Sequence, residues 1–269
     1  MTAEQTRSMD RGARWSALLA LLAEHGRLSV TQVVEALGVS EATVRRDFSE
    51  LAAQQLVTRT HGGVVASAVA YDLPARYKLA GTDSAKERVA ARAADLAPAG
   101  AVVGFNGGTT SSATARRLAA RADLAASTRR PAVTVVTNAL NIATEMVLRP
   151  FIRCVSLGGV ARSESYELSG PLSSMVLGEL WLDMVFLGVD GVSATAGATC
   201  EHEGEAGINS LMVQRAERVV VIATGEKVGR RAFARICATS RIERLVTDST
   251  APDGPLAELR AAGVTVDVV

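Results

Sequence analysis

The chain has 269 residues, 48% of them hydrophobic and 4% aromatic, with a formal net charge of +1. That length suits one small domain plus one of ordinary to large size, and the near-neutral charge excludes nucleic-acid binding driven by bulk charge alone. Cys154, Cys200 and Cys237 stand apart without a CxxC or Cys/His spacing, so neither a disulfide framework nor a metal site is expected, and no run approaches the roughly 18 apolar residues of a membrane span.

Residues 1–13 are polar and charged, lack the apolar core of a signal peptide, and read as a flexible tail; a cytoplasmic location is expected. Arg14 to His25 predicts a strongly apolar helix ended by Gly26, with Trp15, Leu18, Leu19 and Leu22 on its packed side. A second helix starts at Ser29, whose spacing to Gln32 is that of a capping box, and turns Val33, Val34 and Leu37 inward. Gly38-Val39-Ser40 is a tight turn, in which Gly38 can take the left-handed conformation and Ser40 can cap a third helix. Along that helix Val44, Phe48 and Leu51 recur at core spacing, leaving Glu41, Ala42, Thr43, Arg45, Arg46 and Ser49 facing outward. Such a face suits a major groove. Arginine pairs bidentately with guanine or clamps phosphate, and Thr43 can meet a phosphate or a thymine methyl. Two short β-prone runs, Leu56 to Thr60 and Val64-Val65, joined by His61-Gly62-Gly63, complete a winged helix with Arg59 and His61 near the DNA backbone.

Residues 1–66 carry seven basic and seven acidic side chains, so local placement rather than net charge must do the binding. Arg45, Arg46, Arg59 and the tail arginines are expected to share one face, and two heads per DNA site, as in a dimer reading two half-sites, are the usual geometry. From Ala66 to Gly81 no period is sustained and Asp72-Leu73-Pro74 interrupts, which places a linker at 67–82. Ser84 to Leu96 resumes as a helix with Ser84 and Glu87 spaced as a capping box.

Beyond it, β-branched runs at Val102 to Phe105, Val133 to Thr137, Ile152 to Leu157, Met184 to Val189, Val219 to Ala223, Leu245 to Asp248 and Val264 to Val268 alternate with helical patterns. This predicts a mainly parallel α/β sheet covered on both faces, with ligands at the carboxyl ends of its strands. The loops there are Asn106-Gly107-Gly108-Thr109-Thr110, Asn138, Gly158-Gly159, Asp190-Gly191 and Thr224 to Lys227. Glycine N–H groups, threonine hydroxyls and a helix start read as a phosphate cradle, with Lys227 as its fixed cation. Neither GxxxxGK[ST] nor GxGxxG occurs, so no nucleotide cofactor is expected. Glu201, His202, Glu203 and Glu205 form a charged run, read as a solvated loop rather than a metal site.

VSEATVRRDFSEL followed by LVTRTHGGV resembles the DeoR family of bacterial transcription regulators, and NGGTT, VVTNAL, SLGG, LSGPL, VFLGVDGV and EKVG extend the resemblance over nearly the whole chain from Arg14 onward. The resemblance implies a winged helix-turn-helix at 14–66 in which Ser40, Thr43, Arg45, Arg46, Arg59, His61, Gly62 and Gly63 meet double-stranded operator DNA. It implies an effector-sensing and oligomerisation domain at 83–269, similar to ribose-5-phosphate isomerase, that binds a phosphorylated sugar or related metabolite. The pocket it implies comprises Asn106, Gly107, Gly108, Thr109, Thr110, Asn138, Gly158, Gly159, Asp190, Gly191, Glu205 and Lys227. Two departures stand out: Asn106 replaces the family's usual Asp, and Thr224-Gly225-Glu226-Lys227 replaces Asp-Ser-Ser-Lys. The function implied is a repressor of carbohydrate-metabolism genes acting as a dimer or higher oligomer. The alternatives are an isomerase using Asp190 or Glu205 as base with Lys227 as electrostatic stabiliser, and a regulator whose sensor has lost its ligand.

Overall fold

The computed structural model describes residues 11–53, 57–60, 62–66 and 84–269; His61, the expected linker at 67–82 and the first ten residues lie outside them. The chain divides into two compact units, residues 1–79 and 80–269. No helix among the described residues is long and apolar enough to cross a membrane.

In the first unit, α1 (Arg11–His25) begins three residues before the expected Arg14 and ends on Gly26, at φ +72, whose N–H meets the Leu22 carbonyl at 2.8 Å. Next comes β1 (Arg27–Ser29), a short strand that periodicity did not announce, then α2 (Val30–Leu37). The capping box forms as expected: the Gln32 N–H donates to Ser29 Oγ at 3.2 Å and the Ser29 N–H to Gln32 Oε1 at 2.8 Å. Gly38 closes α2 at φ +65, and Ser40 Oγ accepts the Thr43 N–H at 3.2 Å at the start of α3 (Glu41–Ala53). Leu18, Leu22, Val33, Val44, Phe48 and Leu51 form one buried core, each removal of such a side chain from water contributing about 1.5–3 kcal/mol. The wing is β2 (Val57–Thr60) paired with β3 (Gly63–Ala66), and β1 lies on the other side of β3.

The second unit opens with α4 (Ser84–Ala94); Ser84 is its first helical residue, and the capping contact expected of its side chain lies outside the described ones. The remaining elements are β4 (Val102–Phe105), α5 (Thr109–Ala119), α6 (Ala122–Ala126), β5 (Val133–Thr137), α7 (Leu140–Met146), β6 (Ile152–Ser156), β7 (Val160–Ala161), β8 (Leu168–Ser169), α8 (Pro171–Gly178), β9 (Leu182–Gly188), β10 (Gly191–Ser193), β11 (Gly197–Cys200), α9 (Glu203–Arg215), β12 (Ala216–Ile222), β13 (Ala234–Cys237), β14 (Arg244–Thr247), α10 (Asp253–Ala261) and β15 (Thr265–Val268). All seven strands expected from the β-branched runs enter one seven-stranded sheet in the order β15-β14-β12-β9-β4-β5-β6, and every pair in it is parallel.

Alternation divides each central strand between two cores. Val185 and Leu187 of β9 and Val219 and Val221 of β12 face one cluster; Met184, Phe186, Val220 and Ile222 face the other. This is why these strands read as unbroken apolar runs. From β4 the chain steps to β5 and β6 on one side, then returns to place β9 on the other, so the strand order reverses between β4 and β9. In parallel sheets a crevice opens at such a switch point, beyond the carboxyl ends of the strands. The small antiparallel sheet β10-β11-β13 and the β7-β8 hairpin were not anticipated, since their short strands, such as Gly197–Cys200 and Ala234–Cys237, carry no run of β-branched residues.

Candidate functional site

The third helix presents two opposite surfaces. Val44, Phe48 and Leu51 are buried, while Arg45 and Arg46 are exposed on the far side and Thr43 is half-buried. Arg45 Nη2 lies 3.3 Å from Glu41 Oε2, an exposed pair four residues apart that leaves the guanidinium accessible. Arg59, on the wing, donates to Ser49 Oγ at 2.9 Å, and Ser49 donates to the Arg45 carbonyl at 2.9 Å, so the wing arginine is tethered to the recognition helix. Gly62 turns the wing at φ +86; Gly63 sits where a Cβ would come 2.1 Å from the Leu28 carbonyl oxygen, so only glycine lets β1 and β3 approach this closely.

One expectation about the basic face needs correction. Arg11 belongs to α1 rather than to a loose tail; its side chain forms an ion pair with Glu50 and lies 4.5 Å from the Trp15 ring centroid. Arg14 turns inward: its Nε and Nη2 meet Asp47 at 2.6 and 3.0 Å, and Trp15 Nε1 donates to the same carboxylate at 3.0 Å. Asp47 is 2% exposed. Burial pushes its carboxyl up, but the hydrogen bonds from Arg14 and Trp15 and the charges of Arg14 and Arg11 outweigh that and hold it below the ordinary value. Thus the third residue of Arg45-Arg46-Asp47 is a fixed anion that locks α1 onto α3.

In the second unit, the loop after β4 is built around Asn106. Its Nδ2 donates to the Gly188 carbonyl at 2.9 Å, its Oδ1 accepts the Gly188 N–H at 2.7 Å, and Ser111 Oγ donates to the same oxygen at 3.2 Å. The side chain therefore bridges the ends of β4 and β9 across the switch point. A carboxylate could not supply the donor half of that bridge. Gly108 follows at φ +106 and ψ 161, a conformation reserved for glycine, and opens α5 without a side-chain cap. The first-turn N–H groups of α5, with half-buried Thr109 and buried Thr110, lack intrahelical carbonyls and carry the positive end of the helix.

Beside this loop lies a buried polar nest largely invisible in the sequence. The segment Arg162 to Glu167 folds back on itself: the Arg162 N–H donates to the Glu167 carbonyl at 3.0 Å and the Tyr166 N–H to the Arg162 carbonyl at 2.8 Å, with Tyr166 at φ +59. It delivers both its end charges inward. Arg162 Nη1 meets Glu205 Oε1 at 2.9 Å, and Glu167, 4% exposed, accepts Asn138 Nδ2 at 2.9 Å. Burial and the nearby Glu205 charge raise the Glu167 carboxyl, and hydrogen bonds from Asn138, the Gly107 N–H and Asn209 moderate the rise to about 7. Gly107 is glycine for a reason of space, since a Cβ there would stand 2.5 Å from Glu167 Cγ.

Glu205 is buried in the first turn of α9, so the charged run 201–205 is not a solvated loop as expected; Glu201 and Glu203 are exposed, but Glu205 is the inner partner of Arg162. Among the described residues no group of three or more His, Cys, Asp or Glu side chains could hold a metal. Lys227 Nζ donates to the Val189 carbonyl at 2.7 Å and lies 3.6 Å from Asp190 Oδ1, joining two of the expected residues across β9 and β12. Gly159, at φ +132, packs where a Cβ would meet Ser173 Oγ and the Ser169 carbonyl, and Gly158 accepts the Ser173 hydroxyl. A Cβ on Gly191 would stand 2.7 Å from the Arg230 carbonyl oxygen. Gly159 and Gly191 are thus fixed by close approach, whereas a Cβ on Gly158 would meet nothing within 4 Å. A separate cleft of about 760 Å³, lined by Thr195, Arg231, Phe233 and Glu258 among others, contains none of the expected effector residues.

Arg162, Asn141, Glu167 and Asn209 were not anticipated. Arg162 and Glu167 stand in a polar stretch without periodicity. Asn209 was findable, because with Glu205 it places two polar residues four apart on the face that also buries Ile208, Met212 and Val213.

Residues 14–68 match the DeoR-like helix-turn-helix domain and residues 82–249 the DeoR C terminal sensor domain. The HTH-type transcriptional regulator GlpR of Haloferax volcanii is 30% identical over 250 residues, covering 93% of this chain and 94% of its own. The glycerol-3-phosphate regulon repressor of Escherichia coli is 27% identical over 244 residues, covering 91% and 93%. Among solved structures, ribose 5-phosphate isomerase A from Methanocaldococcus jannaschii aligns with 53% of this chain and 52% of its own at 21% identity, with a TM-score of 0.36, too low to carry any inference. Relatives that match along nearly their whole length are named as regulators and repressors, so the protein is a DNA-binding transcription regulator and not an isomerase. With a helix-turn-helix match at one end and a sensor-domain match over most of the rest, the chain belongs to the DeoR family.

Proposed function

We propose that the protein is a repressor whose winged helix-turn-helix, residues 14–66, reads operator DNA in the cytoplasm and whose sensor domain, residues 83–269, binds a phosphorylated sugar or related metabolite that shifts operator affinity. In the head, Arg45, Arg46 and Thr43 enter the major groove, Ser40 lies at the helix start, and Arg59, His61, Gly62 and Gly63 hold the wing against the DNA backbone. In the sensor, the phosphate lies on Gly107, Gly108, Thr109 and Thr110, with Asn106 fixing the loop, Lys227 and Asp190 at its far side, and Asn138, Gly158, Gly159, Gly191 and Glu205 completing the surround. Two heads act together, joined through the sensor domains as a dimer or higher oligomer.

The observation that carries the sensor half is the glycine-led start of α5 at the switch between β4 and β9, where backbone donors and a helix dipole favour an anion. The name of the Escherichia coli relative, a glycerol-3-phosphate regulon repressor, supports the ligand class. A ligand shifts the equilibrium only by its difference in affinity for the two states, so the test must read DNA release and ligand binding together. Fluorescence anisotropy on DNA from upstream of its own gene, at fixed salt, provides that readout. Release by a sugar phosphate but not by its unphosphorylated parent is the expected result. Tight DNA binding that no phosphorylated metabolite moves would leave a regulator whose sensor serves only to oligomerise.

A further inference from the structure

We propose that Glu167, acting through Asn138 and Asn209, determines specificity in the sensor domain by presenting a floor of hydrogen-bond acceptors to the hydroxyl groups of a phosphorylated polyol. The proposal rests on the phosphate-cradle reading above and extends it to the other end of the ligand.

Glu167 occupies the seam between the glycine loop and the nest. One of its oxygens accepts Asn138 Nδ2 at 2.9 Å, and it takes further hydrogen bonds from the Gly107 N–H and the Asn209 side chain. Asn138 spends one amide N–H on this carboxyl and the other on the Leu168 carbonyl at 3.2 Å, and Asn209 donates to the carboxyl from its side chain, which fixes the orientation of both amides. The carbonyl ends are thereby set: Asn138 Oδ1 and Asn209 Oδ1 are buried and accept no hydrogen bond among the described residues. Asn141 on α7 repeats the pattern, donating to Ser112 Oγ at 2.7 Å and leaving its own buried Oδ1 without a donor.

Three buried acceptors from separate parts of the fold, none with a donor among the described residues, are costly as scaffolding, since each gives up its water without a replacement partner. They are useful in a site that receives donors. Meanwhile the first-turn N–H groups of α5, on the other side of the glycine loop's Gly107, are donors suited to an anion. The division of labour matches one molecule with a phosphate at one end and hydroxyls at the other. Glu167 is a positioning residue here: without its acceptor oxygens Asn209 is free to turn its amide N–H outward and reverse the code, and Asn138 is held by the Leu168 carbonyl alone.

Binding of glycerol 3-phosphate, ribose 5-phosphate and glucose 6-phosphate to the full-length protein is compared with that of propyl phosphate, which keeps the phosphate and lacks the hydroxyls. At least one of the three is expected to bind the native chain about 100-fold or more tightly than propyl phosphate, because a site built to hydrogen-bond hydroxyls rejects an analogue without them. Glu167→Gln is expected to shrink that preference to within about threefold while leaving the operator affinity of the unliganded protein unchanged; Asn209→Leu, which removes one acceptor and touches no cradle atom, is expected to reduce it about tenfold. Equal binding of polyol phosphates and propyl phosphate by the native chain, or an undiminished preference in both variants, would overturn the proposal while leaving the phosphate cradle standing. If none of the four phosphates binds, the cradle reading fails and this proposal falls with it.

Discussion

Asp47 governs the head at the scale of a single residue. Its carboxylate meets Arg14 twice and Trp15 once while almost wholly buried, so removing it breaks three hydrogen bonds and the ion pair that ties α1 to α3. Asp47→Ala is expected to cost the head about 3–5 kcal/mol, read as a lowered denaturant midpoint for the helical signal of the N-terminal unit. The pH dependence follows from the lowered carboxyl: the native head holds Asp47 ionised below its ordinary 3.8, so this stability is present above that value and is lost as pH falls through the native one. The two exposed arginines separate by role. Arg46→Ala is expected to weaken operator binding by about 1–3 kcal/mol and relax the preference at one base pair, whereas Arg59→Ala weakens all sequences nearly equally and lowers the salt slope by about 1. Anisotropy titrations at several salt concentrations, on the operator and on mismatched sites, check both.

At the scale of elements, loops decide what the strands only prepare. The β4–α5 connection needs glycine twice for different reasons: Gly108 for its backbone angles and Gly107 because the Glu167 side chain lies against it. Gly107→Ala is expected to push Glu167 out of the nest, destabilising the sensor domain by about 1–3 kcal/mol and abolishing effector response with DNA affinity intact. Thermal melting alongside DNA-release assays distinguishes this from global unfolding. In the head, β1 joins the wing only because Gly63 permits contact with the Leu28 carbonyl, so Gly63→Ala is expected to detach β1 and weaken DNA binding through the wing.

For the whole molecule, the charge state of the nest links stability to pH near neutrality. Native Glu167 keeps its proton up to about 7, whereas an unfolded glutamate releases it near 4.5. Between those values the native state binds more protons than the unfolded state, so the contribution is fully present below 4.5 and is lost as pH rises through 7. At about 1.4 kcal/mol per pH unit that span is on the order of 3 kcal/mol. Denaturant unfolding of the sensor domain between pH 4.5 and 8.5 is expected to follow this decline, and Glu167→Gln to flatten it. A slope unchanged by the substitution would mean that another group carries the effect.

The order of elements was legible in the sequence because it rests on local rules. Ser29 and Gln32 cap a helix wherever they are placed in this spacing, Gly38 ends one, and runs such as Met184 to Val189 can be little other than a strand buried on both faces. The glycine loop after β4 was legible for the same reason. What tertiary structure alone decided was the pairing of residues distant along the chain. Arg14 read only as the first residue of a scaffold helix, and it is Asp47, 33 residues away, that gives its charge a buried partner. Asn106 looked like a lost pocket charge, yet it spans 82 residues to hold Gly188. Glu205 stood in a charged run that read as a solvated loop, and Glu167 in a stretch without a period; burial, Arg162 and two asparagines hold both inside the sensor domain. A side chain's charge is written in its own codon, but its partner, and therefore its pKa and its role, is set by which strands the sheet brings side by side.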